Sequence, residues 1–366
     1  MKKYINGKIY SKNFKFEKGS FVVDDSGNFS NVSFDVFNKN IHDKNYEIID
    51  LGGKKVIPGL IDIHTHGAMG FDFSNSKLWS TDLKNRAIEY YSNNGIKNFL
   101  ATTMTLPLDE LRDVLKNDIS LGFYLEGPFI SKVKKGAQNE LYIKDVDVDY
   151  FIKLYNESNS KIKVVTIAPE KKDAMLFIEK ASKLCRVSVA HTDADYETTK
   201  KAFEKGATGI THLFNAMNGM HHRKPGPIIA AIENKNVFAE IICDGYHVDK
   251  AMIRFAFNNF GKERMILISD SLYCLGLNDG KYNIAGKECV LSDNLVKLID
   301  GTIAGSATNL YKCMKNAIDF GIDENDAIRA ATYNPAKYIG VLDRYGTIED
   351  GKVADFIIEN RGEEKC

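Results

Sequence analysis

The chain has 366 residues, 44% hydrophobic and 27% charged, with 49 basic and 49 acidic side chains giving a formal net charge of zero. That length allows one large domain and a smaller one, and the charge balance excludes nucleic-acid or membrane-surface binding through overall basicity. No window is apolar enough to span a bilayer, the first residues lack a secretion-type apolar core, and the six cysteines (185, 243, 274, 289, 313, 366) form no CxxC pair, so a cytoplasmic protein with reduced thiols is expected.

Residues 1–57 alternate polar and apolar side chains, with turn signals at NG (6–7) and DDSGN (24–28), and predict a small antiparallel sheet. From residue 58 onward, short apolar segments alternate with amphipathic ones. The apolar segments are GLIDI (59–63), NFLATTM (98–104), LGFYLE (121–126), KVVTIA (163–168), RVSVAH (186–191), GITHLF (209–214), FAEIICD (238–244) and MILISD (265–270). Helices are predicted between them, as at 80–95 with Gly95 as its stop and at 193–206 with Gly206 as its stop. Eight buried strands joined by helical crossovers predict a parallel α/β fold closed as a TIM-like (β/α)8 barrel. A doubly wound open sheet is the other arrangement, but its glycine-rich fingerprint is missing after the first strand.

Strand-like text returns at 283–301 and 346–360, and is assigned to a second, small β-sandwich domain built from amino-terminal, inserted and carboxyl-terminal segments. The expected division is therefore 1–57 (small β domain), 58–282 (barrel), 283–302 (insertion of the small domain), 303–344 (last barrel helices) and 345–366 (end of the small domain).

In such a barrel, chemistry collects where strands end. The first strand ends in His64 and His66, the third in Glu126, the fifth in His191, the sixth in His212 and the eighth in Asp270. A single histidine or acid at a strand end has ordinary structural explanations. Six metal-type side chains on one rim, in a chain with only eight histidines, do not. Imidazole nitrogens with carboxylate oxygens suit Zn²⁺, Fe²⁺ or a similar divalent ion. That chemistry is hydrolytic, and Asp270 is placed to move the proton. No GxSxG motif or cysteine–histidine pairing competes as a covalent nucleophile.

These motifs resemble the amidohydrolase superfamily, and within it the N-acetylglucosamine-6-phosphate deacetylase family. The resemblance is carried by PGLIDIHTHG (58–67), LEGPF with KKGAQ (125–138), AHTDA (190–194), THLFNAM with HHRKPG (211–226), ICDGYHVD (242–249), ISD (268–270), TIAGSA (302–307) and the run from ATYNPAKYIG to GKVADF (331–356). It implies that Glu126, His191 and His212 bind the principal ion and that His64 and His66 complete a second position, for one or two ions per subunit. Asp270 would be the general acid and base. Substrate contacts are implied for Ala137, Gln138, Asn215, Ala216, His222, Arg223, Asp244 and His247, with Ile303, Ala304 and Gly305 on the acetyl side. Arg223 offers a fork of donors matched to phosphate, and in the family it reaches the neighbouring subunit's site, which implies a homodimer.

The expected reaction is hydrolysis of the N-acetyl group of a phosphorylated amino sugar, with no nucleic-acid or membrane partner. A barrel amidohydrolase acting on a cyclic amide or an N-acyl amino acid is the alternative, and a non-catalytic barrel the remote one. Three departures from the family pattern stand out: Gln138 where some members have a histidine, the run SDSLYCLG (269–276), and a short carboxyl-terminal segment.

Overall fold

A computed structural model describes residues 1–34 and 46–359. The eight apolar segments form one parallel sheet in sequential order. Its strands are β1 (Leu60–Thr65), β2 (Ile96–Thr103), β3 (Phe123–Leu125), β4 (Ile162–Ile167), β5 (Arg186–Val189), β6 (Gly209–Ile210), β7 (Phe238–Ile242) and β8 (Met265–Ile268). The ring closes beyond β8 through two backbone bonds to the first strand's end. Asp270 N–H donates to the His64 carbonyl at 2.9 Å, and His66 N–H donates to the Ser271 carbonyl at 2.7 Å.

The crossover helices follow from local signals. Helix Thr81–Asn93 lies within the predicted span 80–95, and helix Tyr196–Glu204 within 193–206. Ser80 accepts from the Leu83 N–H, and Asp195 from the Thr198 N–H, satisfying amide donors that have no partner inside the helix. The second helix starts later than the sequence suggests because Asp195, not Asp193, is the cap. Strand faces divide accordingly. Phe99, Phe123, Val165, Val187, Ile210, Ala239 and Leu267 belong to the core shared with the helices. Leu100, Tyr124, Val164, Ile242 and Ile266 pack with Tyr338 of helix Tyr333–Ile339 in a second cluster.

The small sheet runs in the order Phe356–Glu359, Lys55–Pro58, Lys2–Tyr10, Phe16–Val23, Phe29–Ser33, with Glu47–Asp50 also paired to Lys2–Tyr10. Ile9, Phe21, Phe29, Leu51 and Val56 fill its core. Residues 24–28 make the expected turn, closed by Gly27 N–H to the Asp24 carbonyl at 3.0 Å. The NG pair at 6–7 does not turn the chain. Asn6 takes φ 60° and the register slips between Tyr4 and Gly7, so the pair is a bulge inside one strand. A Cβ on Gly7 would lie 2.7 Å from Leu51 Cδ1, so the leucine side chain packs closely over the glycine.

The inserted segment also differs from expectation. Gly280–Ile284, Lys287–Ser292, Leu295–Leu298 and Ile303–Ser306 form a four-stranded antiparallel sheet of their own, not an addition to the small one. Ser306 N–H bonds the Asp270 carbonyl and Leu272 N–H bonds the Ser306 carbonyl, both at 2.9 Å, which ties this sheet to the barrel mouth. Cys289, Leu291 and Val296 then pack with Leu272, Met104 and Ala137. Cys185, Cys243, Cys274, Cys289 and Cys313 are free thiols, while Cys366 and the rest of 360–366 lie outside the described residues. Among the described residues no helix is long and apolar enough to cross a membrane.

Candidate active site

The strand ends converge on one point. Glu126 follows β3, and its Oε1 lies 2.9 Å from His191 Nε2 and 2.9 Å from His212 Nε2, with the two imidazole nitrogens 3.2 Å apart. Across the rim, Asp270 Oδ1 lies 3.2 Å from His66 Nε2 and 3.5 Å from His64 Nε2. Glu126 joins the halves: Oε1 is 3.6 Å from His64 Nε2 and Oε2 is 3.4 Å from His66 Nε2. All six side chains are buried or nearly so.

Local backbone conformation aims them. His191, His212 and Asp270 take φ of 44°, 31° and 47°, a left-handed conformation that costs a non-glycine residue on the order of 1–3 kcal/mol. The strand ends there instead of running on: β6 keeps only two residues, and positive φ recurs beyond His212 at Phe214 and Ala216. Ring tautomers are set from behind. His191 Nδ1 is 2.8 Å from the Lys134 carbonyl, an obligate acceptor, so Nδ1 carries the proton and Nε2 presents its lone pair. His64 Nδ1 lies 3.0 Å from Glu240 Oε2, which orients that ring in the same way.

The electrostatics fit a cation between the donors. Burial pushes the His64 and His66 imidazoles down, but the surrounding carboxylates outweigh it. His64 is held above its usual range through Glu240, Glu126 and Asp270, and His66 is raised to about 10 through Asp270 and Glu126. Burial likewise works against ionised Glu126 and Asp270, yet the facing histidines keep both carboxyls below the usual range. His64 Nε2 is buried with no hydrogen-bond partner. The ligand atoms of Glu126, His191 and His212 lie within 4.8 Å of one another, and so do those of His64, His66 and Asp270. Both groups are compatible with a divalent metal site.

A cavity of about 200 Å³ opens on these groups. Of the sequence-predicted contacts, Ala137, Gln138, Asn215, Ala216, His247, Ile303, Ala304 and Gly305 line it. Asp244 stands behind: its Oδ2 takes the His247 Nδ1 proton at 2.6 Å, while Oδ1 accepts from the Tyr246 and His247 amides. Burial disfavours that carboxylate, but the bonds from His247 and the two amides hold it below the usual range. His222 and Arg223 are not brought to this cavity. Arg223 is exposed, bonded through Nη1 to His222 Nε2 at 2.7 Å, and lines a second cavity of about 850 Å³ with Asp195, Tyr196 and Asn218. Among the described residues, neither lysine nor arginine lines the first cavity.

Sequence reasoning missed Glu240, Met104, Thr105 and Thr302. Glu240 had a signal, an acid in the middle of the apolar run FAEIICD. Met104 and Thr302 line the cavity from positions that carry no special chemistry, and Thr105 sits behind it, bonded to Gln138.

A closed parallel barrel whose rim joins two histidine–carboxylate groups defines a metal-type barrel hydrolase. The chain belongs to the amidohydrolase family, whose sequence profile matches residues 55–361. It is 34% identical to the N-acetylglucosamine-6-phosphate deacetylase of Bacillus subtilis (strain 168) over 319 residues, 83% of this chain and 80% of that protein. It is 30% identical to the N-acetylgalactosamine-6-phosphate deacetylase of Escherichia coli O157:H7, over 83% of each chain. Among solved structures it superposes with TM-score 0.90 and 26% identity on a mutant N-acetyl-D-glucosamine-6-phosphate deacetylase from Mycobacterium smegmatis in complex with N-acetyl-D-glucosamine-6-phosphate, covering 98% of this chain and 95% of that one.

Proposed function

We propose that the chain hydrolyses the N-acetyl group of N-acetyl-D-glucosamine 6-phosphate, releasing acetate and D-glucosamine 6-phosphate. The observation that carries this reading is the junction of Asp270 with Glu126, His191 and His212 at one cavity, in a chain that is 34% identical over 319 residues to a deacetylase of that name. Glu126, His191 and His212 would hold the principal ion, and His64 and His66 with Asp270 a second, with Zn²⁺ or Fe²⁺ matching the nitrogen–oxygen donor set. When bound, such an ion polarises an amide carbonyl and brings the pKa of water to ~7.

The chain's own groups do the rest. Asp270, kept ionised by His66 and His64, accepts the proton of the attacking water and returns it to the amine nitrogen as the C–N bond breaks. His247, with Nδ1 committed to Asp244, has Nε2 left to bond the sugar or the scissile amide. Ile303, Ala304 and Gly305 take the acetyl methyl, and the amides near Asn215 and Ala216 face the phosphate end. Among the described residues no lysine or arginine lines the cavity to meet the phosphate dianion. We therefore propose a homodimer in which Arg223, exposed and outside its own chain's site, reaches the neighbouring one.

The test is acetate release from N-acetylglucosamine 6-phosphate, its 4-epimer and the unphosphorylated sugar. Enzyme would be metal-stripped and reloaded with Zn²⁺ or Fe²⁺. Turnover should need the metal and the phosphate, and D270N should lose about 10²–10⁴-fold in kcat. The galactosamine epimer is included because a relative of that name is 30% identical. Folded, metal-loaded protein that releases no acetate from either phosphorylated sugar would overturn the assignment.

A further inference from the structure

Gln138, one of the departures from the family pattern, lines the cavity. Its hydrogen-bonding capacity is nevertheless spent elsewhere. Oε1 accepts from the Thr105 N–H at 2.7 Å and from the Thr105 hydroxyl at 2.9 Å. Nε2 donates to Glu126 Oε2 at 2.6 Å and faces Met104 Sδ at 3.6 Å. The orientation of the amide is fixed by its partners, because a backbone N–H can only donate and the ionised carboxylate can only accept. The side chain is 2% exposed, so no swing into solvent is open to it.

The anchor is itself built in. Thr105 lies against the turn that follows Glu126: a Cβ on Gly127 (φ 110°) would stand 2.4 Å from Thr105 Cγ2, so the glycine of LEGPF makes room for the threonine. Thr105 is absent from the cavity that Gln138 lines, and with His66 and Met104 it lines a neighbouring one of about 260 Å³. Thr105, Gln138 and Glu126 thus form a chain of hydrogen bonds ending on the one carboxylate that touches both imidazoles, His191 and His212.

We propose that Gln138 is a positioning residue for Glu126 and not a donor to the substrate. Anchored on Thr105, its amide holds Glu126 Oε2, and so keeps Oε1 aimed at the point where His191 and His212 meet. The inference rests on reading those three residues as metal ligands, and it recasts the histidine-to-glutamine departure. At this position the glutamine amide orients a ligand from behind.

The test uses the full-length protein and reads the metal directly. Zn²⁺ affinity is measured by competition with a chromogenic chelator, and ligand geometry by the visible spectrum of the Co²⁺-loaded enzyme, for wild type, Q138L, T105V and T105S. Q138L should bind Zn²⁺ about 10–100-fold more weakly with an altered Co²⁺ spectrum. T105V, which exchanges only the hydroxyl for a methyl, should move both in the same direction by less and leave KM unchanged, and T105S should restore wild type. Q138L with wild-type affinity and spectrum but a lowered kcat or raised KM overturns the proposal, since the amide then acts on the substrate. If Q138L does not fold, T105V decides by the same two readouts. Wild type that binds no divalent ion would instead overturn the metal reading beneath it.

Discussion

At the scale of the residue, the site was legible where chemistry and position coincide. His64, His66, Glu126, His191, His212 and Asp270 stand at strand ends, and a strand end is visible in sequence as the edge of an apolar run. Residues that act from behind were harder to read, Glu240 showing only as an acid inside an apolar run. Glu240 and Thr105 owe their place to tertiary proximity, 176 residues from His64 in one case and 33 from Gln138 in the other. Glu240 gives the first prediction. It is 2% exposed, and among the described residues its side chain bonds His64 Nδ1 alone, so E240Q keeps an acceptor but removes the charge that orients the ring. Metal retention at the His64–His66 end should fall about 10–100-fold. Metal analysis of gel-filtered protein would show one equivalent lost while the Glu126 group keeps its own. E240Q that retains metal as wild type does would remove Glu240 from that role.

At the scale of the element, strands and helices followed hydrophobic period and caps, and boundaries failed where the backbone turns left-handed. Nothing in GITHLF announces that His212 and Phe214 take positive φ, so a six-residue prediction became a two-residue strand. The NG pair failed for a related reason: its local preference for positive φ was met by a bulge, because the 51–54 turn pairs across it. The cap Asp195 offers a direct check. Removing its carboxylate in D195A leaves the Thr198 N–H without that partner and should cost about 1 kcal/mol, read as a lower denaturant midpoint with unchanged slope.

The join between small sheet and barrel gives a pH prediction. Asp355, just before strand Phe356–Glu359, accepts from Asn98 Nδ2 at 2.8 Å. Burial pushes its carboxyl above the usual range, against the opposing pull of Asn98. A folded-state pKa raised in this way favours the neutral acid. Its contribution to stability is complete below the ordinary carboxylate range and is lost as pH rises through the raised value. Urea midpoints of D355N should therefore fall less than those of wild type as pH rises from about 4 to about 7. An identical pH dependence in the two proteins would contradict this.

At the scale of the whole molecule, the barrel was readable because eight strand-sized segments alternate with helical ones. The allocation of 280–306 was not, since an antiparallel hairpin reads the same whichever sheet receives it. The bonds between Ser306 and Asp270 and Leu272, with packing on Met104 and Ala137, place it at the mouth. The proposed dimer has a test at this scale. R223A and D270N should each be inactive on the phosphosugar at low substrate. Co-expressed, they should regain about a quarter of wild-type activity, because a mixed dimer pairs one intact Asp270 with its partner's intact arginine. Absence of complementation, with mixed dimers verified by two affinity tags, would place the arginine's action within its own chain.

The closing seam of the ring has a consequence in time. The two backbone bonds that join the last strand to the first are made by His64, His66, Asp270 and Ser271, the same short stretches that carry half of the candidate site. During synthesis the ring therefore stays open, and its proposed acid–base residue Asp270 is missing, until about three-quarters of this sequence has been made. No nascent fragment can hold the rim half-assembled with a competent Asp270, and completing the architecture and acquiring the chemistry become a single event.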